Sequence, residues 1–265
     1  MTAPVVRRAR DLTTWRDGDH VYVVACDANA SVGELPNDFM RRPPEEAGYN
    51  AAKVALMETL AAGATPLVVA DALCGPLDDY GVRVVDGIRR ALAEIGSDAV
   101  LTGSDETNMT TTQTGVGITV IGRVSTDEFR LGTSRSGDLV LCIGMPKDGV
   151  IVPYREGDDD IAGPRHVLAV LATAAHEILP VGSRGVGYEV RQLGLTAGLD
   201  VELDPDCGID LVRSAGASTC FLVSAPPLAC DSIRAVVDLP VAVVATLRER
   251  RPVHQTTNPK TKEDG

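Results

Sequence analysis

Apolar and polar positions alternate along the chain in a way that predicts a regular series of strands and helices. Residues 20–26 (HVYVVAC) form a β-branched apolar run, the signature of a buried strand. The polar stretch after it, with Gly33, Pro36, Pro43 and Pro44, predicts a loop that receives Asp27. Residues 45–62 (EEAGYNAAKVALMETLAA) are rich in helix formers, begin with Glu and stop at Gly63, the asymmetry expected of helix ends. A second buried strand follows at 66–73 (PLVVADAL), with Asp71 inside it. Residues 78–95 predict an amphipathic helix with Val82, Val85, Ile88, Leu92 and Ile95 on one face, stopped by Gly96. A third strand begins at 99–102 and runs into GSDETN, and 115–124 and 138–143 supply two more. Residues 1–145 therefore read as β-α-β-α-β-β-β.

Gly, Pro and Asp crowd residues 146–164, which mark the expected linker. Beyond it, helices at 165–178 and 185–197, strands at 201–203, 220–224 and 241–245, and short helices at 209–214 and 231–237 predict a second, smaller unit over 165–247. Polar residues 248–265 predict a flexible tail. The expected fold class is α/β (α+β): an N-terminal mixed sheet with helices, then a smaller α/β domain.

Composition narrows the function. The 265 residues carry 25 basic and 37 acidic side chains, a net charge of −12, so nucleic acid and anionic membrane surfaces are expected non-partners. Aromatics make up 3% of the chain, too few for a base-stacking platform. No apolar run reaches the roughly 18 residues needed to cross a bilayer, and residues 1–10 are charged with no apolar run behind them, which predicts a cytoplasmic protein. The six cysteines form no CxxC pair, and those at 26, 74, 142 and 220 lie in or beside apolar runs, where burial is expected. The four histidines show no metal-ligand spacing. Among the basic residues only Lys53, Lys147, Lys260 and Lys262 are lysines.

Three acidic positions share one context: Asp27 after the first strand, Asp71 near the end of the second, and Asp105 with Glu106 after the third. Ligand sites of α/β sheets collect at strand ends, so these carboxylates are candidate ligands for a hard cation such as Mg²⁺. Asp also suits caps and turns, but Asp71 within VVADAL is costly to bury without a partner. Asn29, Ser31 and Glu34 follow the first acid, and Thr107, Asn108, Thr110–Thr112 and Gln113 follow the third, adding polar groups. No GxxxxGK[ST] loop, no GxGxxG between strand and helix and no GxSxG elbow occurs. Cys26 and Cys74 stand near acids, which disfavour a reactive thiolate.

The series VVACDANASVGE, NAAKVALMETLAAGATPLVVADALC, TGSDETN, GVGITVIGRV and SGDLVLCIGMPKDG resembles the ATP-binding superfamily of aminoimidazole-ribonucleotide synthetase, selenophosphate synthetase and thiamine-phosphate kinase, over roughly residues 15–245. The segments HEILPVGSRGVGYEV and SAGASTCFLVS are most similar to α-ribazole kinases of cobalamin salvage. The resemblance implies a homodimer formed through the N-terminal sheet, with ATP as co-substrate and Mg²⁺ as cofactor. It also implies transfer of the γ-phosphate to the 5′-hydroxyl of α-ribazole, a nucleoside-like acceptor. It would place metal on Asp27, Asp71 and Asp105 or Glu106, and ATP against Asp27, Asn29, Lys53, Asp71 and Asn108. Lys53 and Asn108 are the candidate catalytic residues, with Lys147 a second candidate for screening phosphate charge. The chain departs from the family's better-known members: Asp27 precedes ANASVGE rather than a DGVGTK-like segment, no lysine precedes Lys53, and GSDET replaces the GGDT-type text of thiamine-phosphate kinases. The alternatives are another kinase or synthetase of the superfamily, thiamine-phosphate kinase-like, or a non-catalytic nucleotide-binding relative.

Overall fold

A computed structural model describes residues 4–250. In chain order the elements are β1 (Val6–Ala9), β2 (Leu12–Asp17), β3 (His20–Ala30), β4 (Val32–Gly33), β5 (Met40–Arg41), α1 (Pro44–Ala61), β6 (Thr65–Leu73), α2 (Asp79–Glu94), β7 (Val100–Asp105), β8 (Gly115–Ser125), β9 (Leu139–Gly144), α3 (Pro164–Leu171), β10 (Glu177–Pro180), α4 (Val186–Ala197), β11 (Leu199–Leu203), β12 (Cys220–Ala225), α5 (Cys230–Val236) and β13 (Val241–Glu249). The first sheet has the order β1-β2-β3-β8-β6-β7, with β6 and β7 parallel and its other pairs antiparallel. The second, β10-β12-β9-β13-β11, is antiparallel throughout.

Alternation along β3 and β8 sends Val21, Val23, Ala25, Val116, Ile118 and Val120 to one face, where they pack with α1 and α2. Helix α1 is apolar on most of its surface, and it is buried on both sides accordingly: Ala51, Ala55 and Leu56 join the first core, while Met57, Leu60 and Ala61 join the second sheet's core with Leu141, Ile143 and Phe221. Its approach to α2 depends on Gly48 and Gly87, since a Cβ on either would run into a backbone carbonyl of the facing helix region, Val84 and Glu45 respectively. Helix α2 starts as expected, with Asp78 capping Tyr80 and Gly81 at 3.0 Å.

Several expectations change. Strand β9, expected to close the N-terminal unit before a boundary at 145, is the central strand of the second sheet. Its run LVLCI is buried on both faces, and apolarity alone does not say which sheet buries it. The helix expected over 165–178 ends at Leu171, and Glu177 and Ile178 already belong to β10. Residues 209–214 form turns, fixed by Asp210 Oδ1 accepting from Val212 and Arg213 N–H at 3.1 Å, rather than a helix. The hairpin β1–β2 is too polar to stand out in the sequence. Asp27 lies within β3, which continues to Ala30, and the expected loop contains β4 and β5. Cys26 and Cys74 are exposed, Cys26 because it occupies the outward register of β3, while Cys142 and Cys220 are buried. Arg248 and Glu249 extend β13, and the rest of the expected tail, 251–265, lies outside the described residues. Among the described residues no helix is long and apolar enough to cross a membrane.

The two units meet through buried charge. Arg10, in the β1–β2 turn, donates to Glu177 Oε1 at 2.6 Å and to the Thr196 hydroxyl, and Glu177 also receives Gly132 N–H, Ser134 N–H and the Ser134 hydroxyl. Nearby on α1, burial pushes the Glu58 carboxyl up to about 8; Asp11, Glu189 and Asp27 add to the shift and Arg10 opposes it. The folded state thus holds a proton on Glu58 that the unfolded chain releases near its ordinary value, so this group's contribution is full below about pH 4.5 and is lost as pH rises towards about 8. Glu58→Gln is expected to be more stable than the parent at pH 8, by roughly 1–3 kcal/mol, with the difference fading by pH 5. Urea unfolding at both pH values checks it.

Candidate functional site

The inner face of the first sheet carries the acids. Asp27 on β3 pairs with Ile118 on β8, Ile118 with Asp71 on β6, and Asp71 with Gly103 on β7, so all four lie in one cross-strand row on one face. Two strand spacings, about 9.5 Å, separate the Cα atoms of Asp27 and Asp71. Asp71 leans towards β7 over Gly103, where a side chain would collide with both carboxylate oxygens. Asp105, two residues further along β7, shares its cleft beneath α2, together with Arg89, Val85, Leu101 and Ser104. The Asp71 carboxyl is held above its ordinary range, chiefly by burial, with Asp105 adding to the shift and Arg89 opposing it. Burial also raises Asp27, to about 6, against a backbone hydrogen bond from Ala28.

The other expected residues are placed elsewhere. Glu106 turns back on its own loop, its Oε1 accepting from Asn108 N–H at 2.7 Å and Met109 N–H at 3.3 Å. Asn108 lines a separate cavity with Cys74, Tyr80, Met109 and Gln113. Asn29 faces a third, between the two units. Lys53 is fully buried and donates to both oxygens of Glu156 at 3.2 Å, and Lys147 pairs with Asp160 at 2.7 Å. Neither ammonium lines the acidic cleft; its cation is Arg89, silent in the sequence because an arginine on the polar side of an amphipathic helix carries no signal of its own. Gly103 was equally silent, although its place two residues before Asp105 is what admits the Asp71 carboxylate.

Among the described residues no three His, Cys, Asp or Glu side chains are arranged to share a metal ion. Mg²⁺ does not require three: one or two carboxylates, waters and substrate phosphates complete its shell. Asp71 and Asp105 offer hard oxygen donors in an open cleft beside a guanidinium, a set that fits Mg²⁺ carried by a polyphosphate. Gly103→Ala tests the arrangement. Its methyl group displaces the Asp71 carboxylate, so the affinity of the cleft for Mg²⁺ is expected to fall at least tenfold, about 1.4 kcal/mol, read by calorimetric titration of Mg²⁺ beside a melting curve.

Residues 9–124 match the family model described as AIR synthase related protein, N-terminal domain. No curated protein matches the chain. Among solved structures, thiamine-monophosphate kinase from Stenotrophomonas maltophilia K279a superposes with a TM-score of 0.67 at 15% identity, covering 94% of this chain and 89% of that one. AaThiL complexed with AMPPCP and TMP gives 0.64 at 15% identity, with 91% and 85% covered. Hydrogenase maturation protein HypE in complex with ATP gives 0.63 at 16%, with 85% and 77% covered. At these identities the likeness is one of fold.

Proposed function

We propose that this chain, whose residues 9–124 match the AIR synthase related N-terminal domain, is an ATP-dependent phosphotransferase acting on a small-molecule acceptor. The observation that carries the reading is the cleft in which Asp71 and Asp105 face Arg89. AMPPCP and TMP bound to AaThiL, and ATP bound to HypE, support nucleotide use on this fold. Bound Mg²⁺ would neutralise phosphate charge. Asp71 and Asp105 would hold it, with Asp27 one row partner beyond Ile118, and Arg89 would take the remaining phosphate charge. Arg89 also pairs with Asp86 at 2.7 Å, so its place in the cleft rather than a free charge is what recommends it; Lys53 and Lys147, outside the cleft on Glu156 and Asp160, would act on the frame.

The acceptor we favour is the 5′-hydroxyl of α-ribazole, on the resemblance of residues 176–190 and 214–224; thiamine phosphate is second, supported by the thiamine-monophosphate kinase fold. A homodimer through the first sheet fits its outward face, where Trp15 stacks on Tyr22 at 5.2 Å beside Val24, Cys26 and Ile121. The six free cysteines suit a cytoplasmic setting. The test incubates the protein with Mg-ATP and each acceptor and follows phosphorylated product by mass spectrometry. Turnover of α-ribazole supports the reading, and turnover of thiamine phosphate alone moves the acceptor. ATP binding with turnover of neither overturns the enzyme in favour of a nucleotide-binding relative.

A further inference from the structure

Asp105 is bonded through one of its two carboxylate oxygens. Its Oδ2 accepts the Leu77 N–H at 3.0 Å, from the short turn between β6 and α2. The next residue reinforces the join, since Glu106 N–H donates to the carbonyls of Leu73 at 3.1 Å and Gly75 at 3.2 Å. Asp105 and Leu77 both line the cleft beneath α2, and the aspartate keeps Oδ1 for what enters it.

The turn is itself seated. A Cβ at Gly81 would run into the Pro76 carbonyl, so the first turn of α2 rests directly on residues 76–77. Tyr80, beside Gly81, anchors that helical turn to two other segments. Its phenol oxygen accepts Glu34 N–H at 3.0 Å and bonds the Thr114 hydroxyl. Thr114 gives its own hydroxyl hydrogen to Asp38 Oδ2 at 2.8 Å, which makes Tyr80 the donor of the bond between the two hydroxyls. Asp38 also accepts Thr114 N–H at 2.7 Å and Leu35 N–H at 2.8 Å. Asp38 and Thr114 are buried, and a Cβ at Gly33 would collide with Tyr80, Thr114 and Asp38 together, so the bonds close with no room for another atom.

A hydrogen bond to the far side of a metal-binding group fixes its orientation, and losing one commonly weakens the metal by roughly 10–100-fold. We propose that the 76–77 turn positions the cation site: the Leu77 amide fixes Asp105 in the orientation that binds a divalent cation, and Tyr80, through Thr114 and Asp38, keeps that amide in place. Leu77 and Tyr80 are positioning residues, acting through Asp105. What the cation does there rests on the phosphotransferase reading; its binding is measurable without turnover.

The experiment compares the full parent chain with three variants. In the first, Leu77 is replaced by its α-hydroxy acid, so that an ester oxygen stands where the N–H was and the side chain is unchanged. Tyr80→Phe keeps the ring and removes the phenol oxygen, and it carries the test if the ester folds poorly. Asp105→Asn is the reference. Calorimetric titration with Mg²⁺, well below each melting temperature, is expected to show about tenfold weaker binding to the ester, about threefold weaker binding to Tyr80→Phe and the weakest binding to Asp105→Asn. A lower melting temperature with parent-like Mg²⁺ affinity in the ester and in Tyr80→Phe, against a loss in Asp105→Asn, makes the turn purely structural; it overturns the proposal and leaves the phosphotransferase reading standing. Mg²⁺ affinity unchanged in Asp105→Asn, or a parent that binds no Mg²⁺, takes the cation away from this carboxylate and overturns the proposal together with the cleft on which that reading stands.

Discussion

Asp71→Asn is expected to lower Mg-ATP turnover at least a hundredfold while the melting temperature stays level or rises. The size follows from the site: a hundredfold is about 2.7 kcal/mol, within the range lost when one group stabilising transferred charge is removed. The sign on stability follows from burial. The Asp71 carboxyl is raised by desolvation and by Asp105, so the negative charge is an unfavourable feature of the empty cleft, and an amide of the same shape removes that repulsion. A carboxylate kept for structure behaves in the opposite way, losing stability and keeping turnover. Glu106→Gln is the companion. Its side chain caps the 106–109 loop through Asn108 and Met109 N–H, a role glutamine can share, so turnover within about threefold of the parent is expected. Magnesium titrations of both variants separate the cases: only Asp71→Asn requires more Mg²⁺ for half-maximal rate.

The acids were legible in the sequence because burial makes them conspicuous. An aspartate inside VVADAL needs a reason, and the row Asp27–Ile118–Asp71–Gly103 supplies a shared face for two of them. What the sequence did not carry is pairing. Local pattern shows that LVLCI is a doubly buried strand, but the residues that β9 pairs with on β12 and β13 lie 76 to 107 positions away along the chain, and only their pairing assigns it to the second sheet. The same holds for side-chain direction. Residues 105 and 106 are adjacent acids in text, yet strand geometry sends Asp105 to the cleft and turn geometry sends Glu106 back to its loop. Lys53 was conspicuous as a rare lysine on a helix of apolar residues, and that pattern has two readings, a cation aimed at substrate or an ordinary surface lysine; the fully buried ammonium is neither. Glu156, which pairs with it, is 103 residues distant in an irregular segment with no periodicity to announce it.

Lys53→Met is therefore expected to act on stability, costing about 3 kcal/mol, because it leaves the partly buried Glu156 carboxylate, 12% exposed, without its counter-charge. Burial already raises the Glu156 carboxyl and Lys53 opposes that shift, so removing the ammonium raises it further. A raised folded-state value means a proton bound in the native state and released on unfolding, so the variant's stability falls as pH rises and its deficit against the parent narrows as pH is lowered from 8 towards 5. Lys53→Met/Glu156→Leu removes both charges and is expected to recover most of the loss, since a buried pair replaced by apolar groups of similar volume is close to neutral. The double variant also separates the two roles available to Lys53. If its ammonium joins α1 to the 146–164 segment, the double variant turns over Mg-ATP within a few-fold of the parent; if it screens phosphate, the double variant folds and is inactive. Chemical denaturation of all four combinations, with kinetics on the double, distinguishes them, and the fully buried Nζ bonded to both Glu156 oxygens favours the first.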